Sequence, residues 1–168
     1  RPIIIKPVDE TKVYDGLELV ASVSEVDLSS EYILVEGHSI SSTYLGSIIN
    51  VGSTESEIET YQILNGTEDV TNNYSITCVK GVLEVTPRPI IIKPVDEVKV
   101  YDDTDLIPVN FEYTQESQYL LVDGHNISLD YIGSIRNVGI ESSLIDDKTI
   151  KIENGTEDVT QNYSVVTV

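Results

Sequence analysis

The sequence predicts an all-β protein made of two tandem modules, and three observations carry that expectation. Arg1–Glu10, RPIIIKPVDE, returns letter for letter as Arg88–Glu97, and Lys12–Asp15 is matched by Lys99–Asp102 at the same spacing of 87 residues. Identity at a fixed spacing marks an internal duplication. Short runs of β-branched and aromatic residues alternate with polar ones between Gly, Asn and Pro, the pattern of half-buried strands. No stretch of comparable length repeats its apolar residues at the helical period.

The duplication divides the 168 residues into modules 1–87 and 88–168. Each is about 85 residues, enough for a modest core without metal or disulfide staples. Many short strands with regular turn signals suit two tandem β-sandwich modules of Ig-like character. A β-grasp-like module is the alternative, and it requires a helix that the pattern does not supply.

In chain order, Ile3–Ile5 lies between Pro2 and Pro7 and reads as an edge or short connecting strand, because proline donates nothing to a ladder. Lys12–Gly16 reads as a strand end breaking into an Asp-Gly turn. Leu17, Leu19, Ala21 and Val23 then alternate with Glu18, Val20, Ser22 and Ser24, predicting one half-buried strand. In the second copy the alternation falls on Ile107, Val109, Phe111 and Tyr113, the opposite phase, with Pro108 inside it. A bulge or shifted register is expected there.

Tyr32–Val35 and Tyr119–Val122 are further apolar runs. Gly37–Ser41 and Gly124–Ser128 mark turns into polar, alternating strands ending near Gly46 and Gly133. Asn50–Gly52 and Asn137–Gly139 read as turns, since Asn and Gly tolerate positive φ. Asn65 pairs with Asn154, a spacing of 89. Two residues have therefore been added between Gly139 and Asn154, an insertion expected in a loop or hairpin tip.

Asn65–Thr71 recurs unchanged as Asn154–Thr160 and is expected to form an ordered loop, with Thr and Asp placed to cap a single helical turn. Tyr74, Ile76 and Cys78 share one face of the next strand. Lys80-Gly81 is read as a two-residue connector that folds Val82–Val85 back as a hairpin. Cys78, equivalent to Thr167, is expected to be a small core residue. The second copy's Val168 corresponds to Val79, so that module is expected to lack its last strand, leaving an edge that is either covered by another chain at high concentration or frayed.

With a net charge of -19 no nucleic-acid partner is expected, because phosphate binding needs clustered Lys and Arg. With 40% hydrophobic residues and ten tyrosines the chain has the composition of a folded domain. One cysteine gives no internal disulfide framework. No apolar run reaches the length of a membrane span, so no membrane insertion is expected. Starting at a repeat boundary without Met, the chain reads as a piece of something longer.

Lys12–Gly16, Asn50–Gly52, Asp69–Ser75 (Asp-Val-Thr-x-Asn-Tyr-Ser) and Gly81–Pro87 (Gly-x-Leu-x-Val-Thr-Pro) resemble the YDG/MBG-type tandem repeats of bacterial cell-surface proteins and adhesins. The resemblance covers nearly the whole chain, twice. The second copy departs from it at Asp103, where the turn glycine belongs. The resemblance implies an extracellular, cell-wall-attached bacterial protein whose modules are strung in tandem as stalk or adhesive segments, and it implies no catalytic residues.

Candidate sites are few. Asp102, Asp103 and Asp105 cluster at one turn as oxygen donors for calcium, and against them stands a plain solvated acidic turn. His38 and His125 occupy equivalent turns with no second His or Cys nearby to build a metal site, so each is expected to be hydrogen-bonded locally. No Ser/His/Asp setting and no carboxylate pair across a cleft is recognisable, so an enzyme is not expected. Tyr14, Tyr74, Tyr101 and Tyr163 read as core or corner tyrosines whose hydroxyls anchor backbone. Tyr44, Tyr61, Tyr113 and Tyr131 are candidate platforms for stacking on sugar rings. Two functions follow as expectations: a non-catalytic stalk that projects a distal domain, with neighbouring repeats as partners, or an adhesive module for host glycan, mucin or an extracellular protein. The seam Pro87-Arg88-Pro89 is expected to limit bending.

Overall fold

The computed structural model describes residues 1–168. The protein is all-β. Its only helical residues form two three-residue 3-10 turns, Thr71–Asn73 and Thr160–Asn162. The chain divides into two compact units, Arg1–Thr86 and Pro87–Val168.

Unit 1 runs β1 (Pro2–Pro7), β2 (Glu10–Val13), β3 (Leu19–Val20), β4 (Ser24–Val26), β5 (His38–Leu45), β6 (Ser47–Ile48), β7 (Gly52–Asn65), β8 (Glu68–Asp69), β9 (Ser75–Cys78) and β10 (Gly81–Thr86). One sheet has the order β4-β1-β9, and the other β2-β10-β7-β5 with β8 paired to β7. The small β3–β6 pair stands apart. Ile3 and Ile5 of β1 meet Ile63 of β7 and Val70, with Val26, Leu34, Ile40, Ile58, Tyr74 and Ile76 packed around them. Each fully buried isoleucine contributes roughly 1.5–3 kcal/mol.

The triple isoleucine is the centre of its sheet, not an edge. Pro2 and Pro7 sit at the two ends of β1, so Ile3–Lys6 pair between them, parallel to β9 and antiparallel to β4. Both neighbours are needed because Ile3 and Ile5 are almost wholly buried.

The expected hairpin at Lys80-Gly81 does not form. β9 pairs with β1, whereas β10 crosses to the other sheet, parallel to β2 and antiparallel to β7. Gly81 serves packing rather than a turn: a Cβ there would lie 2.6 Å from the Pro7 carbonyl oxygen and 2.9 Å from Ser56 Oγ. Lys80 bridges Glu55 at 2.6 Å and Glu57 at 2.9 Å as the chain crosses. The predicted strand Leu17–Ser24 is also broken, because only Leu19 and Ala21 are buried while Leu17 and Val23 are exposed. Tyr32–Val35 forms no strand either.

Cys78 is exposed rather than in the core, and partial desolvation raises its thiol pKa. Native protein is therefore expected to react with a thiol reagent to one equivalent without denaturant, faster as pH rises, because the thiolate is the nucleophile. Reaction only after unfolding would refute this placement.

Unit 2 repeats the plan with β11 (Arg88–Pro94), β12 (Phe111–Tyr113), β13 (His125–Ile132), β14 (Leu144–Asn154), β15 (Glu157–Asp158) and β16 (Tyr163–Thr167), in sheets β12-β11-β16 and β13-β14-β15. The predicted phase change does not occur. Pro108 is buried in the position of Ala21, while Ile107 and Val109 are exposed. The bridge Leu106–Ile135 reproduces the pair Leu19–Ile48. The two added residues lie inside β14, not in a loop. Where Thr43 and Tyr44 face Thr60 and Ile58 in unit 1, Ser128 and Asp130 face Lys151 and Asp146 in unit 2. The insertion thus widens a bulge already present, which leaves the flanking ladders in register.

Candidate functional site

The best-built polar constellation occurs once in each unit, and it joins residues far apart in sequence. In unit 1 the Tyr74 hydroxyl accepts the Val35 N–H at 3.1 Å and lies 2.6 Å from His38 Nδ1. The Arg1 guanidinium stands 5.1 Å over the Tyr32 ring while its Nε donates to the Ile33 carbonyl at 2.7 Å. In unit 2 Tyr163 meets Val122 N–H at 3.1 Å and His125 Nδ1 at 2.7 Å. Arg88 lies 4.8 Å over Tyr119 and donates to the Leu120 carbonyl at 2.6 Å.

A tyrosine hydroxyl has one proton to give. Its oxygen accepts the backbone N–H and shares one further hydrogen bond with Nδ1, the direction of which follows the tautomer of the ring. The corner-tyrosine reading of Tyr74 and Tyr163 fits this geometry. The histidines are not bonded only within their turns, because each reaches a tyrosine near the end of its module. The pairs act as anchors: the long loop before β5 or β13 is tied to the sheet that carries the arginine.

Burial, then the Arg88 charge, lowers the His125 pKa, with Glu157 opposing. A depressed folded-state pKa means that the unfolded chain takes up the proton first. The stabilisation is complete above the ordinary histidine range and is lost as pH falls through it. Tyr163→Phe is expected to cost about 1–3 kcal/mol in unit 2, because Val122 N–H loses its acceptor, whereas His125→Gln, which removes the titrating ring, is expected to flatten the dependence of stability between about pH 7 and 5.5. Urea unfolding at both pH values, followed at unit 2 resonances, checks both. An undiminished slope in the His125→Gln variant would remove His125 as its source.

The acidic turn does not gather its carboxylates. Asp102 Oδ1 accepts from Lys99 Nζ at 2.7 Å, Thr104 Oγ1 at 2.7 Å and Thr104 N–H at 3.0 Å, and these bonds hold its pKa down at about 2. Asp105 is paired with Arg136 at 2.9 Å, and Asp103 accepts from the Tyr101 hydroxyl at 3.3 Å. No group of three His, Cys, Asp or Glu stands in a metal-holding arrangement anywhere in the chain. Asp103 keeps the backbone of the glycine it replaces: φ is 62° there and 78° at Gly16. Asp103→Gly is expected to leave the turn intact and to relieve on the order of 1 kcal/mol of left-handed strain, read from the melting of unit 2.

The four platform tyrosines are divided between the units. Tyr44 is half-buried with its hydroxyl 3.0 Å from Ser24 Oγ. Tyr61, opposite Ser42 on the same ladder, is 36% exposed. In unit 2 the Tyr113 hydroxyl accepts Leu121 N–H at 3.3 Å, with its ring edge-on to Phe111. Burial raises the Tyr131 pKa, and its ring lines a shallow 280 Å³ hollow with Phe111 and Ile127. Tyr101 is exposed although its counterpart Tyr14 is 2% exposed, because β10 accompanies Tyr14 through the bond from its N–H to Thr86 O.

The His–Tyr pairs went unrecognised in the sequence because their members lie 36 and 38 residues apart. The available signal was that both members are duplicated. Against protein-family models, curated proteins and solved structures, the chain finds no match.

Proposed function

We propose that the chain is a tension-resisting, non-catalytic stalk segment of an extracellular bacterial surface protein, holding a distal domain away from the cell wall. The observation that supports this reading is the parallel pairing of entering and leaving strands. In unit 1, β1 lies parallel to β9 from Pro2–Ser75 to Ile5–Cys78, and β2 parallel to β10 from Leu83–Glu10 to Thr86–Val13. In unit 2, β11 lies parallel to β16 over five pairs, Arg88–Tyr163 to Ile92–Thr167.

Tension applied at the ends of a unit pulls such strands in opposite directions along their own axes. The ladder bonds are then loaded together in shear rather than opened one after another, and forced unfolding is governed by that barrier. Single-molecule pulling tests the reading. Unit 1 drawn from its two ends should resist more force than the same unit drawn from its N-terminus and the Gly66 turn. Equal resistance in both directions would sink the stalk proposal. A glycan array gives the adhesive reading its chance: binding lost on Tyr61→Ala would favour it.

A further inference from the structure

Asn-Gly occurs twice in the chain, at Asn65-Gly66 and Asn154-Gly155, and both copies stand in the same hairpin. The first is closed by the pairs Asn65–Glu68 and Leu64–Asp69 between β7 and β8, the second by Asn154–Glu157 and Glu153–Asp158 between β14 and β15. Each leaves a glycine and a threonine outside the ladder. Gly66 and Gly155 have φ 61° and 63°, the left-handed backbone that a two-residue hairpin needs at its first loop position. The turn therefore accounts for the glycine. It does not require the asparagine, a residue depleted in strands, which ends the strand in both copies.

Asparagine before glycine carries a reaction of its own. The glycine nitrogen lies just past the last ladder pair, and nothing stands within 4 Å of a Cβ built on Gly66 or Gly155. The side-chain bonds that fix these segments come from residues beyond the turn and leave the asparagine amide free. Asp69 Oδ1 accepts the Thr71 N–H at 2.9 Å and Thr71 Oγ1 accepts the Ile63 N–H at 2.8 Å; Asp158, Thr160 and Ile152 repeat them at 3.0 and 2.8 Å. With that side held, local opening is confined to the last pair of each hairpin. Opening lets the asparagine backbone turn its Cγ onto the glycine nitrogen, an intramolecular attack at high effective concentration.

We propose that Asn65 and Asn154 are sites of intramolecular deamidation. The glycine nitrogen loses its proton to solvent base and bonds to the asparagine Cγ; the Cγ–Nδ2 bond breaks, and the amide takes up a proton and leaves as ammonia. Water then adds to one carbonyl of the resulting succinimide, and the ring nitrogen is released from that carbonyl and regains a proton. Release from Cγ gives aspartate, and release from the main-chain carbonyl gives isoaspartate. One water enters, one ammonia leaves, and nothing is oxidised or reduced. Asn50 and Asn137 also stand in turns but precede Val51 and Val138, whose branched side chains crowd the attacking nitrogen.

Each new carboxylate falls opposite an anchoring histidine. His38 faces Asn65 in the β5–β7 ladder and His125 faces Asn154 in the β13–β14 ladder, which places each pair on one face of its sheet. Around His125 stand the Tyr163 hydroxyl, the Arg88 cation and the Glu157 carboxylate. A carboxylate at position 154 acts with Glu157 and against Arg88, favouring the protonated ring. Ageing thus adds two negative charges to a chain already at -19, both at the ends of the strands that hold the His–Tyr anchors.

The test ages the intact 168-residue chain for weeks in mildly alkaline buffer and reads intact mass, peptide maps and the His125 ring titration. A gain of about 1 Da at each of Asn65 and Asn154 is expected, divided between aspartate and isoaspartate, with Asn50 and Asn137 at least about tenfold slower. Asn154→Gln should abolish the gain in unit 2 alone. The His125 titration midpoint should rise in the aged chain and stay in place in aged Asn154→Gln. Any of four results would overturn the proposal: no gain at either site, equal gain at Asn50 and Asn137, aspartate without isoaspartate, or an unmoved His125 midpoint once Asn154 has been converted.

Discussion

Leu83→Ala is expected to lower the melting temperature of unit 1 by roughly 10–30 °C while leaving unit 2 unmoved. Leu83 has no exposed surface and lies in β10, held on one side by β2 and on the other by β7. Neither neighbour can collapse into the space, because each is fixed by its own ladder, so the lost transfer free energy is joined by a cavity term. Leu→Ala changes of this kind cost about 2–5 kcal/mol, a large share of the roughly 5–15 kcal/mol that holds a domain folded. Val82→Ala, two atoms shorter on the half-exposed outer face, supplies the contrast and should cost well under about 1 kcal/mol. Separate transitions for the two units, resolved by amide exchange during heating, check the result. An equal shift in both units would show that the units do not unfold independently.

The same strand marks where sequence reasoning reached and where it stopped. Strand character, the turns at Gly37 and Asn65, and the duplication were legible because alternation and repetition are local signals. The destination of β10 was not. Lys80-Gly81 has the composition of a tight turn, but its glycine answers to Pro7 and Ser56, residues brought up by other strands. Pro108 misled in a similar way. Counted as a strand breaker it hides the phase, yet its ring fills the buried position of Ala21. The insertion in β14 was assigned to a loop because a bulge between paired strands leaves no compositional trace. As for sites, the acidic turn was visible as a cluster of letters, and only the positions of Lys99 and Arg136 separate its carboxylates. The His–Tyr anchors required both ends of a module at once.

Gly46→Ala should be among the most damaging single changes in unit 1, and Gly133→Ala should repeat it in unit 2. Gly46 has φ 95° and a Cβ there would lie 2.4 Å from the Glu55 carbonyl oxygen; Gly133 has φ 109° and a distance of 2.6 Å to Ser142 O. Two penalties combine. The left-handed backbone costs a residue with a side chain about 1–3 kcal/mol, and the overlap adds a similar amount because the obstacle is backbone already held by the β7 or β14 ladder. Gly37 and Gly124 separate the two contributions. They have φ 85° and 83° but nothing within 4 Å of a built Cβ, so Gly37→Ala and Gly124→Ala pay for conformation alone. The expected order in denaturant unfolding is a loss of about 2–6 kcal/mol at Gly46 and Gly133 against about 1–3 kcal/mol at Gly37 and Gly124. The duplicated chain tests this twice within one molecule. Equal losses at all four positions would mean that the close passage over the start of β7 and β14 relaxes freely, and that the crossing from one strand to the next is not fixed by the absence of a side chain.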